Sequence, residues 1–191
     1  MKKIYPFIFA FALALLISAC GSQSTEKSDL SVSCASLQPT ENDVKYALEF
    51  GKELFTEVNW LRSYTVKELQ ATVSWTHRTM SSLADVTIYL FCDETGTDDI
   101  SWFYNEDALK VMFEGYDEAV LVASCSKDKL LLYEVDAVEE GQPYKIRLWA
   151  EPLNKSRLLS VLLTFPIEES DLLLKYGQEF FPDLSSCPTL P

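Results

Sequence analysis

Apolar positions recur along the chain with three different rhythms, and each predicts a different kind of element. From Ile4 to Ile17 they are nearly continuous. From Thr40 to Val58 they recur at helical spacing, with Val44, Ala47, Leu48, Gly51, Leu54, Phe55 and Val58 on one face. Thr40 is placed to cap that helix, with Glu41 and Asp43 complementing its dipole. Gly51 within the stripe predicts a close approach to a sheet. Between Trp60 and Cys92 the pattern turns to alternation. Leu69, Ala71, Val73 and Trp75 share one face of a strand, and Val86, Ile88, Leu90 and Cys92 do the same in the next.

A polar loop, residues 93–99, precedes a short helix from Glu106 to Glu114, capped by Asn105 and closed by Gly115. A meander follows: Ala119–Ser124, Leu130–Val138, Tyr144–Glu151 and Arg157–Phe165 are strands, separated by turns at Ser126–Lys129, Glu139–Pro143 and Pro152–Ser156. In the third of these, Tyr144, Ile146, Leu148 and Ala150 face one way while Lys145 and Arg147 face the other. One wet face fits an antiparallel sheet. Glu168–Phe181 closes the chain as a helix, its stripe made of Leu173, Leu174, Gly177, Phe180 and Phe181 and its end set by Pro182. The expected fold class is α+β: a mainly antiparallel meander packed against N-terminal and C-terminal helices on one face.

The first apolar run is too short for a transmembrane helix, which needs about 20 such residues. Preceded by Lys2 and Lys3, it has the form of a secretory h-region. It ends Ile17-Ser18-Ala19-Cys20, which resembles the bacterial lipobox: a branched apolar residue, two small ones and a cysteine. The resemblance covers residues 1–20. It implies lipid transfer to Cys20, cleavage after Ala19 and further acylation by a palmitate-type chain. The expected placement is a bacterial membrane, facing the periplasm or the cell exterior. Residues 20–33 then hold the lipidated cysteine and a small, polar tether, and residues 34–191 form a single domain.

Charge narrows the partners. The full chain carries −13; without residues 1–19, 14 basic residues stand against 29 acidic ones, or −15. Such a surface repels nucleic acid and anionic headgroups, so the lipid itself must do the anchoring. Four cysteines remain beyond the anchor, and an even count in an oxidising compartment predicts two disulfides. Cys34 and Cys187 flank the domain and are expected to clasp its ends, leaving Cys92 to join Cys125.

Candidate chemistry is sparse. His77 is the lone histidine, with no Gly-x-Ser-x-Gly elbow to partner it, and the six scattered glycines form no phosphate loop. No cofactor is called for. Asp93, Glu94, Asp98 and Asp99, with Glu106 and Asp107 beyond, have the composition of a calcium loop but lack the EF-hand register; a solvated acidic loop accounts for them. Trp102-Phe103-Tyr104 cannot all face one side of an element, which makes these aromatics candidate partner-binding residues. The expected function is a membrane-anchored envelope lipoprotein of non-enzymatic type that presents a domain to a protein or ligand. The alternatives are a cell-envelope hydrolase with paired carboxylates and a small-ligand carrier.

Overall fold

A computed structural model describes residues 37–52, 55, 58–91, 106–154 and 156–188, with backbone alone for 106–108. The order of elements is α1 (Glu41–Lys52), β1 (Trp60–Lys67), β2 (Gln70–His77), β3 (Leu83–Leu90), α2 (Glu106–Met112), β4 (Glu118–Lys127), β5 (Leu130–Glu139), β6 (Gln142–Asn154), β7 (Arg157–Pro166) and α3 (Ser170–Phe180). The α+β class, with a mainly antiparallel sheet, is as the residue pattern predicts. The seven strands form one sheet in the order β1-β2-β3-β7-β6-β5-β4, every neighbour antiparallel. Two meanders, β1-β2-β3 and β4-β5-β6-β7, are joined where β3 pairs with β7. The alternating pattern had marked only two strands between Trp60 and Cys92; β1 is the third.

Local rules explain most of these elements. The β5–β6 connection contracts from the expected five-residue loop to Glu140-Gly141, because both adopt positive φ (51° and 77°), the geometry of a primed hairpin turn. Asp128 takes φ 55° in the equally tight β4–β5 turn. Helix α1 stops at Lys52, short of Val58, which is 90 % exposed. At its start the expected cap is reversed. Asp43, in the first turn, accepts both the backbone N–H and the hydroxyl of Thr40 at 2.8 Å, half of a capping box.

The single apolar face expected of the sheet is corrected: both faces are covered. On one lie α1 and α3, with Ala47, Phe55, Leu173, Tyr176 and Phe181 packed on Val73, Trp75, Trp149, Val161 and Phe165. On the other, Leu109 of α2 and Phe113 just beyond it pack on Val135, Ile146, Leu148 and Leu158. Leu174, expected in the stripe of α3, is turned outward, and Tyr176 takes the buried position instead. Gly51 does meet the sheet, as its place in the stripe predicts: a Cβ there would lie 2.5 Å from the Trp75 ring.

The expected disulfide pairing is corrected as well. Cys187 bonds Cys125 of β4, not Cys34, so Cys92 cannot be the partner of Cys125. Cys34 and Cys92 lie outside the described residues. The physical reason is the path of the chain after α3. Residues 182–187 run back across the sheet, where Trp149 Nε1 donates to Leu184 O (2.8 Å), Arg147 donates to Ser185 O (2.7 Å), and Glu134 accepts Cys187 N–H (3.1 Å). That strap delivers Cys187 to the edge strand β4, within bonding distance of Cys125.

Asp43 ties α1 to β7. Arg157 donates to it from Nε (2.6 Å) and Nη2 (3.3 Å). Burial pushes the Asp43 carboxyl up, but hydrogen bonds from Arg157 and Thr40 outweigh burial, and the net shift is downward. A depressed carboxylate stabilises the fold above its unfolded pKa and loses that contribution as pH falls through the folded one. Asp43→Asn should therefore cost about 3 kcal/mol at neutral pH, as expected when one partner of a buried pair is removed. The cost should shrink toward pH 2, measured by denaturant melts across pH.

Candidate functional site

The N-terminal edge of the sheet is unusual for a natural protein. Strand β1, Trp-Leu-Arg-Ser-Tyr-Thr-Val-Lys, pairs with β2 residue for residue from Trp60↔His77 to Lys67↔Gln70, without a bulge. Its other side faces no strand among the described residues. Trp60 alone is buried; it is gripped by Phe55, His77, Phe165 and Tyr176 at ring-centroid distances of 4.9–6.3 Å. Beyond it every residue of β1 is exposed, including Leu61, Val66 and Tyr64, the last at 71 %. A straight edge with unpaired backbone groups and apolar side chains is a template for another strand. The opposite edge, β4, also exposes Val120, Leu121 and Val122, but it is broken by a bulge between Leu121 and Ala123 and stapled through Cys125. Bulges are one of the devices that blunt an edge. Strand β1 has none.

His77 shows how the hairpin is held. Its Nδ1 accepts the backbone N–H of Met80 (3.0 Å) and of Thr79 (3.3 Å), closing the turn into β3, and its ring lies edge-on to Trp60. The imidazole is 8 % exposed. The Thr79 hydroxyl lies 3.4 Å from the same nitrogen, so the ring serves the turn.

The face of the sheet opposite α1 and α3 offers a second feature. Leu109, Phe113, Ala119, Leu121 and Val135, with Lys110 at the rim, line a cleft of about 330 Å³ between α2 and β4–β5. On the same face stands Asp85, directly across from Ser74. Burial pushes its carboxyl above the usual range and the Ser74 hydroxyl draws it partly back. Its Oδ1 is buried and accepts no hydrogen bond from the described residues. Burial also raises the phenols of Tyr89 and Tyr116, both within electrostatic reach of Asp85. A raised carboxyl binds its proton more tightly folded than unfolded, so stability falls as pH rises from the unfolded pKa through the folded one. Asp85→Asn should thus raise the melting temperature at pH 7.5 and leave it unchanged at pH 3. A loss of stability at pH 7.5 would mean the charged form is wanted.

The chain matches no protein-family model and no curated protein.

Most of the residues singled out by sequence are not among the described ones. Cys20, the acids Asp93, Glu94, Asp98 and Asp99, and the aromatics Trp102, Phe103 and Tyr104 lie outside the described residues. Among the described residues no three His, Cys, Asp or Glu side chains gather to hold a metal ion. Several described carboxylates have cationic partners: Asp43 with Arg157, Glu134 with Arg147, Asp136 with Lys145 and Asp183 with Lys127. Sequence reading passed over β1 and Asp85. For β1 the available signal was its mirror symmetry with β2 about the Glu68-Leu69 turn. For Asp85 it was the neighbouring alternation, which places the acid with Leu83, Thr87 and Tyr89 on a face assigned to solvent.

Proposed function

We propose that this chain is a membrane-anchored envelope lipoprotein of non-enzymatic type, held by acyl chains on Cys20, whose domain binds a partner protein along the β1 edge. The observation that carries the reading is the bulge-free edge strand with seven of its eight residues exposed. Main-chain hydrogen bonds to such an edge supply affinity and the alternating side chains supply specificity. The lipobox-like Ile17-Ser18-Ala19-Cys20 and the polar stretch after it support the placement: a leash lets a binding domain search near a bilayer.

The test is a photo-crosslinking amino acid at Tyr64, compared with one at Val120 on the other edge, in membranes of cells making the full chain. An adduct at Tyr64 and none at Val120 supports the reading; adducts at Val120 alone refute it. Cys20→Ser should also move the protein from the membrane to the soluble fraction. The cleft beneath α2 favours a second reading, a carrier of a small apolar ligand, since a volume near 330 Å³ is at the lower end of ligand pockets. Displacement of an apolar fluorophore that is lost in Leu121→Arg but kept in a Tyr64 variant would favour it.

A further inference from the structure

We propose that the strand received by β1 is an acidic one, with two carboxylates five residues apart. The inference rests on reading β1 as the docking edge and adds the chemistry of its partner. The chain is acidic overall, at −13, but the β1–β2 hairpin holds two cations against one acid. From Trp60 to His77 it holds Arg62 and Lys67, and its one acid is Glu68 in the turn. Strand β2 holds no Asp, Glu, Lys or Arg. Both cations are exposed, and neither pairs with another described residue.

The two cations point to opposite faces of the ribbon. Arg62 shares a face with Tyr64 and Val66, and Lys67 shares the other with Leu61, Ser63 and Thr65, because side chains alternate along a strand. An incoming antiparallel strand places its residues directly opposite these, about 5 Å away between Cβ atoms. It is best matched by an acid opposite Arg62, a second acid five positions away opposite Lys67, apolar residues between them against Tyr64 and Val66, and one just beyond the first acid against Leu61. Acids four apart fall on one face and reach only one cation. A second copy of this chain is a poor occupant. It brings the same two cations to the seam, where they meet each other and not an acid.

The body's charge attracts basic peptides, so the proposal makes a counterintuitive prediction at about 0.15 M salt, where fields reach only about 8 Å. Fluorescein-labelled ten-residue peptides of threonine and valine would be titrated onto the full chain in non-ionic micelles, with empty micelles as blank. One probe carries glutamates five apart, one glutamates four apart, and one lysines five apart. The first should bind about tenfold more tightly than the third and severalfold more tightly than the second. The Arg62→Glu, Lys67→Glu double variant should reverse the order of acidic and basic probes while its melting temperature stays within a few degrees, and bound acidic probe should slow hydrogen exchange in β1. Three results overturn the proposal: equal binding of all probes, preference for the lysine probe by the unaltered chain, or self-association of the chain in place of peptide binding. A partner crosslinked at Tyr64 through a neutral or basic segment would sink the acidic strand while leaving β1 as a docking edge; no adduct at Tyr64 would sink both.

Discussion

Trp149→Ala is expected to cost about 4 kcal/mol, the middle of the range for removing a buried tryptophan. For a domain of this size that is a fall of roughly 10 °C or more in Tm. The side chain is fully buried. It stacks on Phe181 with ring centroids 5.3 Å apart, lies against Gly177 of α3, and donates its indole N–H to Leu184 O. Truncation therefore opens a cavity between β6 and α3 and leaves the Leu184 carbonyl without its donor. Trp149→Phe keeps the stacking and loses the hydrogen bond, so it should cost about 2 kcal/mol. Denaturant melts of the two variants decide the matter. A cost below about 1.5 kcal/mol for the alanine would mean that the strap of residues 182–187 does not depend on the indole.

Replacing Cys125 and Cys187 by serine should remove a further 2–4 kcal/mol. The cross-link spans 62 residues, and on the chain-entropy model a loop of that length is worth about 4 kcal/mol as an upper figure. Part of the effect is native. Without the bond, the end of the strap rests on the Glu134 carboxylate and the Arg147 guanidinium, with Trp149 and Lys127 holding Leu184 and Asp183 before it; burial already draws the Arg147 group down while Glu134 supports it. Because Trp149 and Cys187 fasten the same segment, the triple variant should lose less than the sum of the two effects. A peptide map under non-reducing conditions gives the direct check. A fragment linking Cys125 to Cys187 is expected; Cys187 linked to Cys34 would restore the clasp between termini and remove the basis for both predictions.

Wherever one side of an element faces the core, its periodicity was enough to read it. The positions of β2, β3, α2 and the four-strand meander follow from alternation and turn residues within a few positions. The positions that failed were those with two neighbours to satisfy or none. Strand β1 is exposed on both faces beyond Trp60, so its alternation is confined to Ser63–Lys67 and marks no buried stripe. In β6, Trp149 lies on the same face as Lys145 and Arg147, and that face reads as wet until the strap covers it. Asp43 looked like a first-turn acid complementing a dipole, which it is, yet its partner Arg157 lies 114 residues away.

By itself the sequence determined the signals carried in a short stretch of chain: a leader-like apolar run ending at Cys20, the charge balance, the α+β class and the local turns. Only the tertiary structure decided the join of β3 to β7, the bonding of Cys187 to Cys125 and the emergence of β1 as a bulge-free, cationic edge. The reason is range. Periodicity and turn chemistry act over a few residues, whereas strand order, disulfide choice and exposure depend on which distant segments the chain brings side by side.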